Sequence, residues 1–254
     1  MNQPDLLHTL QDNILRLTFN RPKRLNALTC NMLQEATNLL VEAATNPDVR
    51  LIVLEGAGHA FSSGADLRAA ASPTASLDAA NAVTRAIRTA PQPVLATVQG
   101  PAVGVACAFA IAADIIVAAE SAYFLLPFAS LGLMPDGGTT ALLASAVGRT
   151  RAARLALLGE RLSAAEALEW GLVTRVETDE NFQQQVQVLA RQLAQGPSAA
   201  YSQVKHAFNQ VGLTQLEQAL SLERAGQTAL FETADHHEGV AAFLEKRPAR
   251  FIGR

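Results

Sequence analysis

PVLATVQGPAVGVACAFAIAADIIVAA, residues 93–119, decides the fold. PVLATV is almost wholly apolar and does not alternate, which suits a strand buried on both faces. Gly100 and Gly104 then turn the chain, residues 103–112 carry a helix of small side chains, and IIVA, residues 115–118, makes the next buried strand. Strand, glycine turn, helix and strand in that order predict an α/β fold with helices covering the sheet faces. Working outward, ILRLTF at 14–19 alternates as a strand, and Pro22 stops it. Thr29 is placed to cap a helix over 32–44. LIVL at 51–54 reads as another buried strand, ending at Gly56 and Gly58. RAAASPTAS, residues 68–76, is small and polar and predicts a mobile loop before a helix over 78–89. Beyond Gly137 strands fade. Segments 138–147, 150–158, 163–170, 182–195, 199–208, 214–232 and 237–246 read as helices, with Ser163 and Glu166 forming a capping box.

Composition narrows the function. The 254 residues are 49% hydrophobic and 17% charged, which allows a large core and argues against disorder. The formal charge of −3 with no basic stripe disfavours nucleic acid. The apolar run 102–119 is interrupted by Gly104 and Asp114 and reads as a buried helix and strand, not a membrane span. The N-terminal residues have neither a basic region nor an apolar one, so no signal peptide is expected. Cys30 and Cys107 lack metal spacing and predict two buried free thiols in a reducing, cytoplasmic setting. His8, His59, His206, His236 and His237 share no ligand spacing, so no metal site is expected. Trp170 is expected to be a packing anchor, Asp114 a cap or buried ion-pair partner, and Glu120 an exposed charge.

Two glycine turns carry the candidate chemistry. GAGHAFSSGADL, residues 56–67, follows a strand, and residues 65–67 can open a helical turn. It has neither the Gly-Lys-Ser/Thr of a phosphate loop nor the third glycine of a dinucleotide fingerprint. QGPAVGVACA, residues 99–108, again runs from strand to helix. Each alone is ordinary turn chemistry. Two in succession can supply N–H donors from different segments to one developing oxyanion.

NRPKRLNALT (20–29), these two turns, LGLMPDGGTTALLASAVGRTRA (131–152), LLGERLSAAEALEWGLVTRV (157–176) and HHEGVAAFLEKRPARFIGR (236–254) together resemble the enoyl-CoA hydratase/isomerase, or crotonase, superfamily. The resemblance covers nearly the whole chain in order. It implies a spiral of ββα units over residues 1–195 and a C-terminal helical trimerisation region over 196–254. A homotrimer or dimer of trimers is expected, with an acyl-CoA as partner and no cofactor beyond the CoA moiety. It puts the oxyanion N–H groups at Ala65 and Val105, the second a glycine in many members. It puts CoA along Lys23, Arg24, Ala27, Ser63, Asp66 and Leu67, with Phe243 and Lys246 reaching a neighbouring subunit's CoA.

Departures from the family pattern bear on the reaction. The two glutamates that hydratases of this family use fall on Ala108 and Phe128, neither of which can carry a proton. Asp136, in the PDGG turn, is the acid that remains. Spacing alone makes it a turn or helix-capping residue. The resemblance makes it a general base, in surroundings expected to include Phe124, Phe128 and Leu133 and to raise its pKa. Glu169-Trp170-Gly171, the PDGG turn and the EGVAAFLEKR ending are most similar to the ring-1,2-epoxyphenylacetyl-CoA isomerase group and to 3,2-enoyl-CoA isomerase-like members. The expected activity is therefore acyl-CoA isomerisation. An enoyl-CoA hydratase of fatty or aromatic acid degradation and a non-catalytic acyl-CoA-binding protein are the alternatives.

Overall fold

The computed structural model describes residues 4–68 and 72–254. Strand β1 (Leu6–Gln11) turns through Asp12 and Asn13, both at positive φ, into β2 (Ile14–Phe19). Asp and Asn tolerate that left-handed backbone better than most residues, which makes the hairpin possible without glycine. A 3-10 turn at Pro22–Arg24 leads to α1 (Cys30–Thr45), whose N-terminus is capped as expected by Thr29 accepting the Met32 N–H. Then come β3 (Leu51–Gly56), α2 (Pro73–Thr89), β4 (Val94–Val98), β5 (Pro101–Val103), α3 (Val105–Ala112), β6 (Ile115–Ala119) and β7 (Tyr123–Leu125). The remainder is α4 (Thr139–Val147), α5 (Arg149–Leu158), β8 (Leu162–Ser163), α6 (Ala164–Glu169), β9 (Arg175–Glu177), α7 (Phe182–Gln195), α8 (Ser198–Gly212), α9 (Leu216–Leu230) and α10 (Ala234–Glu245).

The main sheet runs β1-β2-β3-β4-β6-β9, antiparallel only at its first pair, and a small sheet runs β5-β7-β8. One unit repeats between them. β4 lies in the main sheet, β5 in the small one, and α3 follows; β6, β7 and α4 do the same. In the preceding turn β3 is followed by Ser62, which bridges Ala102 of β5, and then by α2. This is the expected spiral of ββα units.

The central strands are covered on both sides, and their alternate residues enter different cores. Ile52, Leu54, Val94, Ala96 and Val98 pack with α1, α2 and α3. Leu51, Val53, Leu95 and Val117 pack with Phe182, Val186, Leu189 and Ala190 of α7. That explains why PVLATV lacks alternation. Every residue of α3 is buried. Its alanines let the helix lie close to the strands and helices around it.

Several expectations are corrected. The hairpin strand β1 is not evident from the sequence, because only Leu6 of its six residues is buried and its three leucines, Leu6, Leu7 and Leu10, do not alternate. The helix expected from residue 78 begins at Pro73, so residues 73–76 are helical; Ala69–Ala71 of the expected loop lie outside the described residues. At the expected helical turn, Ala65 bridges Leu28 in parallel and the Asp66 N–H donates to the Leu28 carbonyl, while Leu67 and Arg68 form a turn. Residue 103 ends β5 instead of starting α3. Two strands do follow Gly137, but they have only 2 and 3 residues, too few for a pattern to show. Cys107 is buried as expected, whereas Cys30 is half-buried. The capping box at Ser163 and Glu166 is present.

Asp114 accepts the Val94 N–H and pairs with Lys205 at 2.8 Å and Arg88 at 3.3 Å, fulfilling its expected role. Trp170 packs against the core with the guanidinium groups of Arg151 and Arg154 over its ring, at 5.1 and 5.4 Å. Among the described residues no helix is long and apolar enough to cross a membrane.

Candidate functional site

The spiral brings the two glycine turns together. Ser62 donates its N–H to the Pro101 carbonyl, and Val103 donates to the Ser62 carbonyl, so segments 62–65 and 101–105 run side by side. Two residues further on, Gly64 (φ +86°) lies against Val103 and Gly104. A Cβ built on Gly64 would fall 2.7 Å from the Val103 oxygen and 3.7 Å from the Gly104 Cα. Gly104 itself has φ +58° and ψ −128°, a backbone essentially restricted to glycine. Ala65 and Val105 therefore leave adjoining backbones. Among the described residues neither of their N–H groups has a protein acceptor: the Gly64 and Asp66 groups make the bridge to Leu28, and Val105 is the first residue of α3. Two unpaired N–H donors at a close approach of two chains suit an oxygen that gains negative charge.

Asp136 stands beside them. The next residue, Gly137, packs on the first turn of α3, where a Cβ would come within 3.0 Å of the Ala108 Cβ and 3.2 Å of Val105 Cγ2. The Gly137 carbonyl accepts the Thr84 hydroxyl of α2 at 2.8 Å. Asp136 does not cap α4 with its side chain. Its backbone carbonyl accepts from Thr139, and the N–H groups of Gly138 and Thr140 go to Glu223 of α9, at 2.7 and 2.8 Å. The Asp136 side chain has Gln227 of α9 as partner, whose Nε2 donates to Oδ2 at 3.1 Å. Oδ1 is sealed from solvent and has no hydrogen-bond partner among the described residues.

Burial pushes the Asp136 carboxyl up to about 7; the Gln227 hydrogen bond opposes this, and the Glu223 charge adds to it. The raised pKa agrees with the expectation from sequence. The Phe128 ring reaches Gly104, 3.8 Å from where a Cβ would lie, and both Ala108 and Phe128 are buried.

The residues expected along CoA form one rim. Lys23 and Arg24 are exposed on the 3-10 turn, and Ser63 Oγ donates to the Arg24 carbonyl at 3.3 Å. Ala27 is buried, and its carbonyl accepts from Arg21 Nη1, which also pairs with Asp66 at 2.9 Å. Burial opposes ionisation of Asp66, but hydrogen bonds from Arg21 and the Arg68 N–H outweigh it and hold the carboxyl below its usual range. Leu67 is exposed. Phe243 is also exposed, and Lys246 ends α10 in the left-handed conformation; that helix packs on the 3-10 turn Pro127–Leu131.

Residues 9–254 match the family model described as Enoyl-CoA hydratase/isomerase. The chain belongs to this family. It is 37% identical over 258 residues to the 1,2-epoxyphenylacetyl-CoA isomerase of Escherichia coli, covering 98% of each chain. It is 39% identical over 259 residues, the full length of both, to a "probable enoyl-CoA hydratase" of Rhodobacter capsulatus. Among solved structures, an enoyl-CoA hydratase of Mycobacterium avium subsp. paratuberculosis superposes with a TM-score of 0.94 at 43% identity, over 98% of this chain and 99% of that one. The family thus holds both isomerases and hydratases among relatives of similar distance.

Sequence reasoning missed Arg21, Glu223 and Gln227. A signal for the last two was present. α9 buries Leu216, Leu220, Glu223 and Gln227, a helical stripe whose second half is polar. A buried carboxylate and amide on such a face require partners.

Proposed function

We propose that this chain isomerises an acyl-CoA thioester through an enolate. The supporting observation is the grouping of two acceptor-free N–H donors with Asp136, a sealed carboxylate whose Oδ1 has no partner among the described residues. Ala65 and Val105 hold the thioester oxygen. Asp136 Oδ1 takes a proton from the carbon next to the thioester, and the C–H electron pair moves into the enolate, whose charge rests on the held oxygen. With a 3-enoyl substrate the proton returns two carbons further along, and the double bond shifts into conjugation. One carboxylate suffices, because it is regenerated each cycle. Its pKa near 7 leaves it able both to accept and to return a proton at neutral pH.

Hydration would require water to be activated beside the same carbon. The positions where hydratases of the family carry glutamates are the buried Ala108 and Phe128, which offer water nothing. The rim of Lys23, Arg24, Ala27, Ser63, Asp66 and Leu67 takes the CoA moiety. Residues 196–254, whose helices expose Val204, Phe208, Val211, Leu222 and Phe243, assemble subunits as a trimer or dimer of trimers. Phe243 and Lys246 then meet CoA of a neighbouring subunit.

The test is a panel of 3-enoyl- and 2-enoyl-CoA thioesters followed by mass and double-bond position. Isomerisation leaves the mass unchanged, while hydration adds one water. Hydration of crotonyl-CoA outpacing every isomerisation in the panel would sink the proposal. Light scattering checks the assembly, and a stable monomer at micromolar concentration contradicts it.

A further inference from the structure

The turn that carries Asp136 is held from a single helix face. Glu223 and Gln227 lie one turn apart on α9, and both are buried, at 0% and 1% exposure. Glu223 takes the Gly138 N–H, the Thr140 N–H and the Thr140 hydroxyl, at 2.7, 2.8 and 2.5 Å. α4 begins after a glycine with no capping side chain, so a carboxylate from another helix satisfies its first N–H groups and faces the positive end of its dipole. Gln227 reads the turn with both ends of its amide. Oε1 accepts the Met134 N–H at 3.3 Å, and Nε2 donates to Asp136 Oδ2. The amide orientation is fixed by this pairing, because reversing it would set the amide NH2 against the Met134 N–H and the amide oxygen against a carboxylate. α9 is in turn tied to α2 by the ion pairs Arg85–Glu217 and Arg224–Asp78.

We propose that Gln227 and Glu223 are positioning residues for the reaction. Gln227 occupies one oxygen of Asp136 and leaves the other for the substrate proton, while Glu223 fixes the turn and sets a second negative charge behind it. This rests on the isomerase reading and deepens it. The two residues act on Asp136 with opposite sign. A hydrogen bond donated by Gln227 favours the ionised carboxylate, and the Glu223 charge disfavours it. The charge that acts on Asp136 is that of Glu223; beside the adjoining Gly137, α3 offers Val105 and Ala108 and α2 offers Thr84, none of them ionisable.

The experiment compares Gln227→Met and Glu223→Gln with the wild-type protein on trans-3-hexenoyl-CoA, reading kcat and KM against pH. The acid limb of kcat should move up in Gln227→Met and down in Glu223→Gln, each by about one pH unit, with KM unchanged. Limbs that stay in place, or that move the same way in both variants, overturn the proposal, since a purely structural loss lowers kcat at all pH values alike. A second measurement needs no turnover. In protein labelled with 13C at aspartate carboxyls, the Asp136 resonance is the one missing from Asp136→Asn, and its titration midpoint should rise in Gln227→Met. If Glu223→Gln does not fold, that midpoint decides, and an unmoved midpoint refutes the clamp. A wild-type protein that fails to isomerise the thioester, while the midpoint still rises in Gln227→Met, removes the reaction assignment and leaves the clamp standing.

Discussion

Gly64 yields its side-chain space to the carbonyl of Val103. A Cβ at residue 64 would sit 2.7 Å from that oxygen, in a backbone already at φ +86°. This close approach sets the Ala65 and Val105 amides on adjoining chains.

Ala65→Pro removes one of those donors and nothing else from the hydrogen-bond pattern, because the Ala65 N–H has no protein partner among the described residues. Turnover of a 3-enoyl-CoA should fall about 100- to 1,000-fold, the usual cost of one oxyanion donor. Circular dichroism should show the fold retained. A folded variant within a few-fold of wild type would place the donor elsewhere.

Asp136→Asn keeps the Gln227 contact nearly isosterically but cannot accept a proton. Isomerase activity should disappear while CoA binding persists. If binding and turnover both survive, Asp136 is not the base.

The same residue gives a pH dependence of rate. A base with its pKa raised to about 7 is protonated in acid, so kcat should decline below about pH 7 and level off above it. A profile flat down to pH 5 contradicts this role.

Stability should move in the opposite sense. Between the ordinary value of 3.8 and about 7, the folded chain holds the Asp136 proton and the unfolded chain does not. This group's contribution is therefore full below pH 4 and is lost as pH rises through 7. Asp136→Asn escapes that loss and should melt higher than wild type at pH 8, with the gap closing towards pH 4. Each kcal/mol is roughly 2–4 °C for a chain of this size. Calorimetry at both pH values measures the gap.

Lys205→Met tests a support far from the chemistry. Lys205 Nζ donates to the Ile87 and Gln92 carbonyls at 2.8 and 3.0 Å and pairs with Asp114. Its loss should cost about 3 kcal/mol, the lower end for a broken buried pair, because Arg88 still faces Asp114. Urea unfolding should show it, with kcat for the folded protein unchanged.

The parts of this fold that were legible share a physical cause. Parallel strands sealed on both faces read as unbroken apolar runs, so β3, β4 and β6 were visible in the amino acids. β1 was hidden because an edge strand with one buried residue has no burial pattern to betray it. The start of α2 was hidden because proline in a first turn resembles proline in a loop. At the site, the glycines marked where backbones approach, but not which segments approach each other; that is a property of the spiral. Gln227 lay beyond reach for the same reason, since its partner is 91 residues away. The polar half of the α9 stripe announced that partners existed without saying where.

That 91-residue span also fixes an order of events at the ribosome. Asp136 emerges well before Gln227, by roughly 5–18 s at ordinary elongation rates of about 5–20 residues per second. Through that interval the two amide turns and the acidic loop exist in the nascent chain, but the amide that orients Asp136 has yet to be synthesised. The carboxylate therefore stays unfastened on the growing polypeptide until α9 has been made and docks.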